Sequence, residues 1–155
     1  MSDAIGKRSR ELFDSGYFCA ESILLAIAEH YKIQSELIPK IATGLCGGMA
    51  RTNGYCGAFT GGILAINLLT GRTEPDASVD MNYQLVQQFL SKFLNKYNSQ
   101  FCYDLIQCDL SQPEEMERFR SMNLIETCKQ ITEVTTGMVL EVIENSDYIL
   151  NDNGE

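Results

Sequence analysis

The sequence predicts an all-α fold, a single-domain bundle of roughly six to eight helices. Three observations carry that prediction. Apolar residues recur three or four positions apart along nearly the whole chain, which is the spacing of one helix face. No stretch keeps the apolar–polar alternation of a half-buried strand. Glycine, proline and short polar clusters cut the periodic stretches at ordinary helix lengths. With 155 residues the chain is long enough to bury one core without staples. Residues 1–150 read as the domain, and 151–155, "NDNGE", as a disordered tail.

Each element has its own signals. Ser2 and Asp3 open a first helix with Ile5, Leu12 and Phe13 on a shared face, and Asp14–Gly16 ends it. Cys19 begins "CAESILLAIAEHY", with Ile23, Leu24, Ile27 and Tyr31 at helical spacing. Ser35 reads as the N-cap of a helix over "ELIPKIATGL", with Pro39 near its first turn. Gly44 to about Tyr55 reads as a loop, "GLCGGMARTNGY". Cys56 opens the next helix, which runs through Leu69 and stops at Gly71. After a loop containing Pro75, Val79, Tyr83, Val86, Leu90, Phe93 and Tyr97 mark one face of a long helix. A short helix starts near Cys102, and Ser111, Pro113 and Glu114 signal another. A last long helix runs from about Leu124 to Ile143, with Cys128, Ile131, Val134, Met138 and Val142 in step.

Composition removes several function classes. A net charge of −9 argues against nucleic acid as a partner, because phosphate contacts need lysine and arginine in excess. The longest apolar stretch, Ala58 to Leu69, is too short for stable membrane insertion, and the first residues carry no secretory h-region. The chain therefore reads as cytoplasmic. In a reducing compartment six cysteines point to redox chemistry or metal ligation rather than a disulfide framework.

Their placement sharpens the point. Cys19, Cys56 and Cys102 each stand at the start of a predicted helix, where unpaired N–H groups and the macrodipole favour a thiolate. Around Cys56 the glycines have a use. Gly57, Gly61 and Ala65 fall four apart, with Ala58 and Gly62 beside them, so a neighbouring backbone can approach closely. Each interior glycine costs about 1 kcal/mol of helix stability relative to alanine, which implies a compensating gain. Close packing alone would supply one, in a monomer's core or in a homodimer. His30, the single histidine, lies late in its helix, where a protonated ring suits the dipole. The acidic runs near Glu114 and Glu141 read as solvated faces, and the six methionines as core filler.

The segments "FCAES", "GLCGGM", "YCGAFTGG", "FCYDL" and "ETCKQI" resemble the C_GCAxxG_C_C family, a redox-active family named for its glycine–cysteine motif and its spaced cysteines. The likeness covers roughly Arg10 to Val142, with CGAxxG at Cys56–Gly61. It implies that Cys19, Cys56, Cys102 and Cys128 form the redox-active set, and that a redox partner protein exists. Cys46 stands where relatives carry glycine, and Cys108 has no counterpart.

Three readings follow. In a thiol/disulfide protein, Cys56 or Cys19 attacks and another cysteine resolves. In a metal protein, Cys19, Cys56, Cys102 and Cys128 ligate an Fe–S cluster or zinc, and the bare backbone at Gly47, Gly48 and Gly57 faces that cofactor. No local CxxC supports either. In the third reading the cysteines are buried structural residues of a helical interaction module.

Overall fold

The computed structural model describes residues 1–146, so the expected tail lies outside the described residues. Among them are eight helices: α1 (Ser2–Asp14), α2 (Cys19–His30), α3 (Cys46–Arg51), α4 (Gly57–Thr70), α5 (Asp80–Tyr97), α6 (Cys102–Ile106), α7 (Pro113–Ser121) and α8 (Ile125–Glu144). A 3-10 helix, Lys40–Leu45, leads into α3. The fold is all-α, as the periodicity requires.

Helix α1 lies along α8 and α2 lies on α4. Both contacts depend on missing side chains. A Cβ on Gly6 of α1 would stand 2.8 Å from the Glu133 carbonyl oxygen of α8. One on Gly61 of α4 would stand 2.7 Å from the Ala20 Cα of α2. On the neighbouring face of α4, Gly62 makes room for the Phe89 ring. Phe89 and Phe93 of α5 close the core there, against Phe59 at centroid separations of 6.3 and 5.2 Å. The small-residue faces of α4 are thus filled from within the chain. At the α1–α8 seam, Thr136 donates to Ser9 at 2.8 Å, and Arg10 bridges Glu126 and Glu133.

Three expectations need correction. The helix read over "ELIPKIATGL" is a turn followed by the 3-10 segment. Pro39 disfavours helical backbone at the residue before it, and the apolar run ends at Gly44, leaving too little length for an α-helix. In α5 the buried positions are Leu85, Phe89 and Phe93, whereas Tyr83 is exposed. The ring admitted by Gly62 sets that rotation. Val134 of α8 is likewise exposed, and the buried face runs through Ile131, Thr135 and Val139.

The predicted glycine-rich loop contains the least ordinary backbone in the protein. Gly47, Gly48, Met49, Ala50 and Arg51 all have φ between 58° and 70°, so α3 is a turn of left-handed sense. For each of the three residues with a Cβ this conformation costs roughly 1–2 kcal/mol. It persists because the Gly48 carbonyl is engaged twice by the chain that follows. Gly54 N–H donates to the Gly48 oxygen at 2.9 Å, and Thr52 N–H to the same atom at 3.2 Å.

Candidate functional site

Two local arrangements gather the cysteines. The first starts at α2. Phe18, in extended backbone, is its N-cap, and the Glu21 carboxylate reaches back to accept the Phe18 N–H at 3.0 Å. The second carboxylate oxygen accepts the Thr43 hydroxyl at 2.7 Å. Glu21 is buried, and between its two bonds it ties the start of α2 to the 3-10 segment that leads into Cys46. Cys19 and Cys46 meet as a result, packed in one apolar cluster against Gly57, and the Cys46 thiol donates to the Ala42 carbonyl oxygen at 3.6 Å. The backbone N–H groups of Glu21 and Ala20 also point at the Cys46 sulfur.

The second arrangement is a single antiparallel bridge between Tyr55 and Phe101. Cys56 N–H donates to Gln100 O at 2.7 Å and Cys102 N–H to Gly54 O at 3.0 Å. Cys56 and Cys102 are therefore fixed side by side, Cys56 as N-cap of α4 and Cys102 as first residue of α6. Gly48 of the left-handed turn abuts Cys102; a Cβ there would stand 2.6 Å from the cysteine Cβ.

Between these arrangements lies a cavity of about 530 Å³. Cys19, Cys46, Cys56, Cys102 and Cys128 all line it, with Gly47 and Gly57 in its wall. It sits where three apolar clusters meet: Cys56 belongs to the main core, Cys19 and Cys46 to a second cluster, and Cys102 to a third. The Cys19 sulfur rests on Gly57, where a Cβ would come within 2.1 Å of it. The charged side chains lining the cavity are Arg51 and Arg120. Cys108 lies apart, fully buried, its thiol donating to the Glu115 carbonyl at 3.2 Å. His30 stacks edge-on with Tyr31 and takes no part.

Electrostatics correct one expectation. Burial pushes the Cys56 thiol up to about 11, although the Ala58 and Phe59 N–H groups of the α4 N-terminus pull it down. At this site desolvation of the thiolate outweighs the helix end. Cys102 is likewise pushed up to about 11 by burial. Cys128 is raised by burial and by the neighbouring Cys56 and Cys102. Cys46 is raised first by the neighbouring Cys19 thiol, then by burial. All six cysteines are free thiols.

A metal would find thiol donors on several walls but no ready coordination sphere. Among the described residues no three His, Cys, Asp or Glu side chains stand at the spacing a metal ion requires. No helix among them is long and apolar enough to cross a membrane.

The family described as "Putative redox-active protein (C_GCAxxG_C_C)" matches residues 17–142. The chain belongs to this family. The A-x-x-G of the C_GCAxxG_C_C name falls on Ala58–Gly61, with Cys56 one place further upstream than the name writes its cysteine. No curated protein and no solved structure matches the chain.

The structure brings Cys19, Cys56, Cys102 and Cys128 to one cavity and adds Cys46, which sequence reasoning left secondary. It also adds Glu21. Its signal was present: a glutamate at the third helical position after an N-cap is a reciprocal capping residue. Arg51 and Arg120 had no such signal, since segments far apart in sequence meet at the cavity.

Proposed function

We propose that this C_GCAxxG_C_C protein is a thiol/disulfide redox protein whose working pair is Cys19 and Cys46. The observation that supports the reading most strongly is the juxtaposition of these two side chains, both against Gly57 in the wall of the cysteine-lined cavity. The Cys46 thiol is engaged with the Ala42 carbonyl, so Cys19 at the start of α2 is the sulfur that attacks, and Cys46 resolves. Forming the bond releases two protons and two electrons, which pass to a disulfide-bearing acceptor. Cys56, Cys102 and Cys128 complete a thiol-rich wall around the pair.

A second reading has Cys19, Cys56, Cys102 and Cys128 ligate an Fe–S cluster or zinc. It draws on their positions around one open volume and on the bare backbone of Gly47, Gly48 and Gly57. The donor type suits either metal centre, but the spacing does not. The dithiol reading therefore takes precedence.

Protein purified without oxygen separates them. The dithiol reading expects colourless, metal-free protein in which mild oxidation consumes two thiols and adds no oxygen mass. Brown protein containing iron and acid-labile sulfide, or colourless protein with stoichiometric zinc, would overturn it.

A further inference from the structure

Charge is distributed unevenly around the cysteine cavity. The chain has 21 acidic side chains against 12 lysines and arginines, yet among the described residues neither Asp nor Glu lines this cavity. Arg51 and Arg120 do, and both are exposed, so they stand where the cavity meets solvent. Among the described residues Arg120 pairs with Glu117 at 3.4 Å, and the two side chains are 65% and 73% exposed. A pair so open to water is worth under about 1 kcal/mol and gives way to a competing anion. Arg51 is held in place by the left-handed turn, with φ of 64°. Residues kept in such backbone cluster where ligands bind.

Size limits what can reach the sulfurs. Cys19 is 9% and Cys46 7% exposed, and the bulky Phe13, Phe18 and Phe119 side chains share the cavity wall. Sulfurs this deeply buried favour a small disulfide over one carried on a folded protein surface. A volume of about 530 Å³ is within the range of small-molecule sites.

We infer that the oxidant of the Cys19–Cys46 pair is a low-molecular-weight disulfide carrying carboxylates, drawn in by Arg51 and Arg120. The inference rests on the dithiol reading. The Cys19 thiolate attacks one sulfur of R–S–S–R, that bond breaks, and R–S⁻ leaves and takes up a proton. Cys46 then gives its proton to solvent and attacks the Cys19 sulfur of the mixed disulfide, releasing the second R–S⁻. In sum, R–S–S–R and two protein thiols become one protein disulfide and two R–SH. The small molecule gains the two electrons that the protein loses.

Three disulfides of similar size test this: dithiodipropionate (dianionic), 2-hydroxyethyl disulfide (neutral) and cystamine (dicationic). Rates of Cys19–Cys46 oxidation are divided by each reagent's rate with a small free thiol, which removes intrinsic reactivity. The expected order is anionic, then neutral, then cationic, with the anionic reagent favoured by about tenfold at low salt and less as salt is added. Arg51→Gln with Arg120→Gln should erase the preference, and the paired lysine substitutions should keep it. Circular dichroism confirms that each variant is folded. Equal normalised rates, or a preference unchanged in the glutamine variant, would overturn the inference while leaving the dithiol reading intact. If none of the three reagents oxidises the pair, the dithiol reading itself fails.

Discussion

Substituting Gly57 by alanine adds one methyl group at the point where the Cys19 sulfur rests. The new Cβ would lie 2.1 Å from that sulfur, and 3.2 Å from both the Cys46 Cα and the Leu45 carbonyl oxygen. Ordinary contact needs about 3.5–4.0 Å, so the sulfur has to retreat by about 1.5 Å. Those two backbone atoms are already tight against the new Cβ and restrict any compensating shift of α4. Overpacking of this kind costs about 1–3 kcal/mol, and the better helix propensity of alanine returns up to about 1. A domain with roughly 5–15 kcal/mol of stability survives that. The redox pair does not survive so well, because misplacing a reacting atom by about 1 Å can cost about 10²-fold in rate. Gly57→Ala is therefore expected to form the Cys19–Cys46 disulfide about a hundred times more slowly while remaining folded. The assay is the time course of thiol loss with 2-hydroxyethyl disulfide. Gly44→Ala, where a Cβ meets nothing within 4 Å, is the control and should oxidise at the native rate. A folded Gly57→Ala protein that oxidises as fast as the control would refute the reasoning.

Other consequences can be checked separately. Cys56 and Cys102 ionise near 11 when folded, against an ordinary value of 9.0, so the unfolded chain releases their protons first. Their contribution to stability should thus be constant below about pH 9 and be lost between about pH 9 and 11; urea midpoints that rise over this window would contradict the burial argument. Ala50→Gly relieves left-handed backbone and should raise stability by about 1 kcal/mol, read from urea unfolding; a loss would mean that the methyl group does more than strain the turn. Gly48→Ala should do the opposite, since its Cβ would press on Cys102 from left-handed backbone, and thermal melting should show a clear drop. Glu21→Ala strands the Phe18 N–H and the Thr43 hydroxyl, so a loss of about 1–3 kcal/mol and slower disulfide formation are expected together. Slower oxidation at native stability would place Glu21 in the chemistry instead.

The all-α class and most helix boundaries were legible because helical periodicity and caps are local signals. Cys19 starting α2, Cys56 capping α4 and Pro113 opening α7 are all written in a few neighbouring residues. The glycines of α4 also announced close packing, which the structure resolves as α2 against Gly61 and Phe89 against Gly62. The rotation of α5 was not legible, because it is set by a cavity in another helix. The fate of "ELIPKIATGL" hung on how little chain remains after Pro39. The ionisation of Cys56 was misjudged for a related reason: a helix N-terminus can be read from sequence, whereas burial comes from the whole fold and here prevails. The left-handed turn had only Gly47 and Gly48 to betray it, and its continuation through Met49, Ala50 and Arg51 depends on tertiary contacts. Cys46 looked like a replaced glycine until Glu21 brought it against Cys19.

Peptide mapping of the mildly oxidised, unreduced protein addresses the working pair most directly. A single new cross-linked species joining the Cys19 peptide to the Cys46 peptide is the predicted outcome, with Cys56, Cys102, Cys108 and Cys128 still open to alkylation after unfolding. A cross-link between any other two cysteines, or oxidation that leaves Cys19 and Cys46 as separate thiols, would contradict it.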